Sequence, residues 1–275
     1  MDWFTSKANE GHIMAKQTSA TPPPGGLENP TVPPMLNRFW FRLLLVIAVP
    51  PASQATAYLV LSSLGAAGEV YSNAIINAVL LIACLVLIWG MRLTAEDIGL
   101  KIIRGRFWWH VIIGLSLFIA YILYCIFAIG ISRLRPITSQ TVFGLLNYLI
   151  VAFAEEIHIR GICYGIVQKR YSDRTALIAS TLLFGLLHFR QGAGMLSKFT
   201  TGLLWGAVRY TTGMIFLLII PLHLTYNAIW LLFEGAWENP PMWAYSYPLF
   251  ELLAALAIVG FRKRVRIQNK QLAGA

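Results

Sequence analysis

Long apolar runs separated by short polar segments dominate this chain after its first 37 residues. Most runs approach the roughly 20 apolar residues that cross a bilayer as a helix. The runs cover approximately 39–62, 72–91, 107–131, 142–166, 175–195, 197–211, 213–234 and 246–262. This pattern predicts an all-α, polytopic membrane helix bundle of about eight transmembrane helices. Six or seven helices with re-entrant pieces are the alternative.

The first 37 residues differ from the rest because they are polar and rich in Pro, Gly and Thr. This composition predicts a flexible or extended tail. The tail has no apolar stretch before Phe39, so we do not expect a cleaved signal peptide. We therefore divide the chain into a flexible tail, 1–37, and a single membrane domain, 38–275.

Composition agrees with a membrane protein. The chain is 57% hydrophobic and 12% charged, whereas soluble domains carry roughly 25% charged residues. The net charge is +10, but the basic residues stand at the ends of apolar runs, which is typical of membrane anchoring. We therefore expect a lipid bilayer as a partner, and no nucleic acid. Cys84, Cys125 and Cys163 lie in predicted spans and match no metal or redox motif.

The distribution of basic residues predicts the orientation, since Lys and Arg are enriched in cytoplasmic loops. With the N-terminus inside, most of the 22 basic residues are cytoplasmic. An odd number of spans would place the basic cluster at 262–270 outside. We therefore predict a multi-pass protein with both termini cytoplasmic, and we expect a prokaryotic inner membrane. The exceptions to the rule are Arg133, Arg135, Arg190, Lys198 and the intramembrane Arg160.

Three charged side chains, Glu155, Glu156 and Arg160, interrupt the apolar run 142–166. Each costs about 2.5–3.5 kcal/mol on insertion scales, so we expect them to face partners or water. Glu156 and Arg160 are four residues apart and meet on one helix face, which predicts an ion pair. Glu155 is rotated by about 100°. It is therefore the freer carboxylate and a candidate general base.

Two further spans bring polar groups into the hydrocarbon zone. His188 follows Phe184 by four residues, and Asn227 follows His223 by one helical turn. A neutral His and an amide can donate hydrogen bonds to a developing oxyanion. Taken singly, an intramembrane His is often a partner between helices, and a Glu–Arg pair can be structural. The occurrence of polar groups on three spans favours a common site.

The motifs Glu-Glu-x-x-x-Arg, Phe-x-x-x-His and His-x-x-x-Asn follow in this order on consecutive membrane segments. This order resembles the CAAX protease and bacteriocin-processing family (CPBP, or Abi), which includes the eukaryotic CAAX prenyl protease II. The similarity covers about 142–234. It implies an intramembrane endopeptidase that acts on a membrane-associated protein or peptide. A prenylated C-terminal peptide, a sorting tail and a peptide precursor are the candidate substrates.

The resemblance also implies roles for the six motif residues. Glu155 and His188 would activate a water molecule for attack on the peptide carbonyl. His223 and Asn227 would form the oxyanion hole. Glu156 and Arg160 would position the first helix and its glutamate.

Members of this family are described both as metalloproteases and as metal-independent glutamate proteases. We expect no cofactor, because the chain has no His-Glu-x-x-His motif and Asn is a poor zinc ligand. If zinc binds, its ligands would be Glu155, His188 and His223. Glu155 and His158 make half of a di-iron signature that needs a second such pair. We expect His158 to face another helix or water near Arg160.

Two other classes stay open. A transporter or channel also uses intramembrane Glu, His and Arg as a relay, although no inverted repeat or paired broken helices are evident in the sequence. A non-catalytic scaffold or immunity protein is the second alternative. Nothing in the motifs indicates lost activity, since all six residues are present.

Overall fold

The computed structural model describes residues 33–273, apart from 65, 129–133, 190–193, 217–218 and 234–242. Of the predicted tail, 33–37 is described, and its last four residues form a helical turn rather than an extended chain. The helices are α1 (Pro34–Asn37), α2 (Phe39–Leu64), α3 (Ala66–Gly90), α4 (Arg104–Ala128), α5 (Ser139–Glu156), a π-helical segment (Ile157–Cys163), α6 (Tyr164–Arg170), α7 (Asp173–Leu187), α8 (Gly194–Thr212), α9 (Ile219–Leu232) and α10 (Trp243–Ala273).

The prediction of an all-α membrane bundle is confirmed. Four helical segments in the described ranges are long and apolar enough to cross a membrane: Phe39–Ser63, Ser72–Gly90, Arg106–Tyr124 and Ser139–Arg170. Helices α7 and α9 have 15 and 14 residues, fewer than the roughly 20 that span a bilayer. The count of eight transmembrane helices therefore stays a prediction.

The run predicted at 142–166 is a continuous helix of 32 residues, Ser139–Arg170. It begins with a capping box, in which Thr138 and Thr141 each accept a hydrogen bond from the other's backbone N–H. Its middle widens into the π-helical segment, which contains Arg160. Such segments are rare and often occur at functional sites. The widening changes the direction of every side chain after Glu156.

The π-helical segment is tied to α2 by His158. Helix α2 contains Pro50, which has no N–H and leaves the carbonyl four residues earlier without its helical partner. That carbonyl belongs to Val46, and His158 Nε2 lies 2.7 Å from its oxygen. His158 is 1% exposed. It therefore faces another helix, as expected, and has a structural role.

Two hydrophobic cores meet at the π-helical segment. Ile159 packs in one core with Phe184 and Trp205. Ile157 and Ile162 pack in the other, which α2, α3, α6 and α7 complete. The segment is thus held on opposite faces, and the side chains that start from it have a defined direction.

Candidate active site

Three parts of the bundle bring five of the six predicted site residues together. Glu155 and Glu156 end α5, and Arg160 lies in the π-helical segment. His188 directly follows α7, and His223 lies in α9. An isolated bridge between Leu134 and Phe233 joins the approach to α5 with the end of α9. The two helices therefore run antiparallel.

The predicted ion pair between Glu156 and Arg160 is present. Arg160 Nη1 donates to Glu156 Oε1 at 2.9 Å, and neither side chain is exposed. The guanidinium lies 4.1 Å above the ring of Phe184 and 5.3 Å from that of Trp205. Its Nη2 is 3.5 Å from the carbonyl of Gly202. A carboxylate, two rings and a carbonyl thus compensate the desolvation of this charge.

His223 contacts both glutamates. Its Nδ1 lies 2.9 Å from Glu156 Oε1, and its Nε2 lies 3.8 Å from Glu155 Oε2. Glu156 Oε1 already accepts a hydrogen bond from Arg160 Nη1, so we assign the proton of the His223 ring to Nδ1, which donates a second hydrogen bond to this oxygen. Nε2 of a neutral ring is then an acceptor. The ring also packs 4.4 Å from Trp205, so its orientation is constrained.

His188 has the same tautomer for a different reason. Its Nδ1 lies 2.7 Å from the carbonyl oxygen of Phe184. A carbonyl only accepts, so Nδ1 carries the proton and Nε2 is an acceptor. Nε2 lies 4.0 Å from Glu155 Oε2. Both imidazoles therefore direct a lone pair toward the same carboxylate oxygen.

Three acceptor atoms thus converge without direct hydrogen bonds among them, because 3.8 and 4.0 Å exceed hydrogen-bond range. Such a group attracts a hydrogen-bond donor or a cation. A water molecule, with two hydrogens to donate, suits the distances as a bridge. The side chains of Glu155 and His188 are 24% and 18% exposed, whereas that of His223 is 4% exposed. The site is therefore open to the outside of the bundle on the side of Glu155 and His188.

The same three atoms, on Glu155, His188 and His223, are of the types that coordinate zinc in proteins. Their separations are wider than in a zinc site, where bonds of about 2.0–2.2 Å place tetrahedral ligands about 3.3–3.5 Å apart. Within the described ranges, no group of three or more His, Cys, Asp or Glu is arranged to hold a metal ion. The arrangement therefore does not fit zinc as it stands.

Asn227 lies one turn beyond His223 in α9, and its side chain is half-buried. It shares the helix face of His223. Unlike a neutral His223, its amide offers two N–H donors whatever the protonation state of its neighbours.

Sequence reasoning missed Trp205, which contacts both Arg160 and His223. It lies on α8 between Gly202 and Gly206, a spacing that lets membrane helices approach closely. A Cβ at Gly206 would lie 2.6 Å from Leu177 of α7. The two glycines are the signal that could have placed Trp205 at the centre of the bundle.

A second buried carboxylate lies outside the motifs. Glu251 of α10 is unexposed and accepts hydrogen bonds from Tyr121 at 3.1 Å and from Thr200 and Thr201 at 2.7 Å each. Three hydroxyl donors account for its burial. It belongs to the packing of α4, α8 and α10 rather than to the group around Glu155.

Comparison with known proteins gives one match. Residues 137–229 match the family described as "Type II CAAX prenyl endopeptidase Rce1-like". The matched segment contains all six predicted site residues, and it confirms the resemblance to the CAAX protease family. No curated protein matches the chain, and no solved structure does.

Proposed function

We propose that this integral membrane protein belongs to the CAAX-type protease family and hydrolyses a peptide bond in a membrane-associated protein or peptide. One observation carries the proposal. Glu155 Oε2 faces Nε2 of His188 and of His223 at 4.0 and 3.8 Å, beside a fully buried Glu156–Arg160 pair. A carboxylate left free by its neighbours, with two oriented imidazoles, can hold and deprotonate a water molecule.

In the proposed mechanism, Glu155 takes a proton from the water as the oxygen attacks the peptide carbonyl. The proton is then delivered to the leaving amine, as a general base that becomes a general acid does. The second hydrogen of the water is accepted by Nε2 of His188 or of His223, and this hydrogen bond orients the attacking oxygen. Glu156 acts through His223, because it fixes the tautomer of that ring.

The oxyanion role differs from the one that the resemblance implies. The N–H of a neutral His223 is committed to Glu156, so Nε2 donates only if the ring is protonated. We therefore propose Asn227 as the principal donor to the tetrahedral oxyanion. Loss of one such donor typically costs about 10²–10³-fold in kcat.

The rival proposal is an ion or proton relay. A relay needs polar groups that continue across the bundle. Here the groups converge on one carboxylate oxygen of Glu155, and the neighbouring Glu156 and Arg160 are sealed from solvent. This convergence favours hydrolysis, which localises charge at one point.

The test is cleavage of candidate tails, namely prenylated, sorting-type and precursor peptides, by the purified protein in lipid. Glu155→Gln keeps the shape and removes the base, so we expect a loss of about 10²–10⁴-fold with an unchanged melting temperature. Glu96→Gln is the matched control, since that carboxylate is exposed. Wild-type turnover by the Glu155 variant would refute the assignment, and no cleavage of any tail by wild type would favour a relay or scaffold.

We propose that activity needs no tightly bound zinc. The measurement is elemental analysis of active protein purified without added metal, followed by treatment with phenanthroline. Activity should survive the chelator. One equivalent of zinc, with activity lost on chelation and restored by zinc, would assign Glu155, His188 and His223 as ligands instead.

A further inference from the structure

A cleft of about 380 Å³ lies at the end of the bundle where α6, α8 and α10 meet the connector between α3 and α4. Arg106, Lys169, Arg209 and Arg262 are among its lining residues. Gly165, which also lines it, is nine residues beyond Glu156. The cleft is therefore about two helical turns away from Glu155 and Glu156 along the same continuous helix.

Arg209 is held in the cleft by backbone carbonyls of the connector and of the residue that follows α8. Its Nη2 donates to the carbonyl of Asp97 at 2.9 Å, and its Nη1 donates to the carbonyl of Gly213. Gly99 has a φ of 73°, and a Cβ there would collide with Nη1 of Arg209. Glycine at position 99 therefore permits both the turn of the connector and the approach of the guanidinium.

Arg209 has no carboxylate partner within the described part of the chain, although it is 3% exposed. Its acceptors are neutral carbonyls, and its Nε has no hydrogen-bond partner among the described residues. Asp97 and Asp173 act on its charge from beyond ion-pair distance. Burial of a guanidinium without a direct carboxylate partner is costly, and this is the main reason to expect an anion here.

The acidic residues of the cleft are already paired. Asp97 accepts from Lys169 at 2.7 Å, and Asp173 pairs with Arg262. Burial alone would raise the pKa of Asp97, but hydrogen bonds from Lys169 and Thr94 hold it below its ordinary value. Asp97 is therefore charged at neutral pH, and the direct ion pairs of the two carboxylates are with Lys169 and Arg262.

Arg262 is a second guanidinium of the cleft with a donor that has no partner among the described residues. Its guanidinium lies 3.7 Å above the ring of Tyr210, and the residue is 6% exposed. Its Nη1 is buried and has no hydrogen-bond partner in the described ranges. Two buried guanidiniums thus line one cleft, and each has an N–H group without a partner among the described residues. The planar N–H groups of a guanidinium match the oxygens of a phosphate.

We propose that this cleft binds a phosphate group, carried by an anionic lipid headgroup or by a small soluble phosphate compound. Basic pockets between membrane helices at the cytoplasmic surface bind anionic headgroups. Arg106, Lys169, Arg209 and Arg262 all belong to segments that the charge distribution predicts to be cytoplasmic. The site is distinct from the glutamate site, and the proposal does not depend on proteolysis.

The test measures the melting temperature of the purified full-length chain in neutral detergent. One arm titrates inorganic phosphate against chloride at equal ionic strength, and the other adds phosphatidylglycerol against phosphatidylcholine. We expect a saturable rise in the melting temperature, as for any ligand that binds the folded state. A rise with inorganic phosphate identifies a small anion, and a rise with phosphatidylglycerol alone identifies a headgroup.

Arg209→Gln should abolish the rise. If that variant does not fold, Arg106→Gln tests the same site, because its side chain is exposed and lines the cleft; the rise should then shrink. Arg174→Gln is the matched control, since it removes an exposed charge from the neighbouring α7. The proposal is overturned if neither ligand raises the wild-type melting temperature, or if Arg174→Gln reduces the rise as much as the cleft variants do.

Discussion

The buried Glu156–Arg160 pair should show strong energetic coupling. Glu156→Gln leaves the guanidinium of Arg160 without its counter-ion in a place with no solvent. Arg160→Met leaves the carboxylate with the single remaining donor on His223. Breaking a buried pair from one side costs about 3–5 kcal/mol, because the other charge stays buried alone.

The rings beside Arg160 refine this estimate. Contacts with Phe184 and Trp205 are worth about 1–2 kcal/mol when desolvated, and they persist in Glu156→Gln. That variant should therefore fall near the lower bound of the range, and Arg160→Met near the upper one. The double variant removes both charges and should cost no more than the worse single variant. The coupling energy should then be about 3 kcal/mol.

The assay is reversible unfolding, in detergent, of the wild type, the two single variants and the double variant, with tryptophan fluorescence as the probe. A second cycle on the exposed Lys101–Glu96 pair, at 2.7 Å against 2.9 Å for the buried pair, is the control, and its coupling should be below about 1 kcal/mol. Additive effects of Glu156→Gln and Arg160→Met, within about 0.5 kcal/mol, would refute the reasoning. Equal coupling in both cycles would show that burial does not set the magnitude.

Two further predictions follow from single contacts, and a third follows from the distribution of basic residues. His158→Ala should lower the free energy of unfolding by about 1–3 kcal/mol, because the α2 carbonyl that it contacts is left unsatisfied. Adding Pro50→Ala should recover part of this loss, since residue 50 regains an N–H that can donate to that carbonyl. Equal losses in the single and the double variant would contradict this. The pKa of Asp97 is lowered in the folded state, so its stabilising contribution is present at neutral pH and lost below about pH 4; Asp97→Asn should flatten the acid side of the stability profile. Reporters fused after Arg92 and after Ala275 should both report the cytoplasm, and an external signal at Ala275 would overturn the even number of spans.

Local sequence was enough for the helices and for the ion pair. In hydrocarbon each backbone polar group must be satisfied within the segment, so an apolar run of sufficient length is necessarily helical. Glu156 and Arg160 are four residues apart, and helix geometry alone brings them together. The greater freedom of Glu155 follows from the same rotation per residue.

The tertiary structure decided which atoms face one another. His223 and Glu156 are 67 residues apart, and His158 and Val46 are 112 apart. No local periodicity relates such positions, because their distance depends on how whole helices pack. That packing sets the histidine tautomers and the position of Trp205. It also leaves Arg209 without a carboxylate at ion-pair distance in the part of the chain that the structure describes. The sequence by itself therefore determined which groups the membrane must accommodate, and the packing of the helices determined which of them can act together.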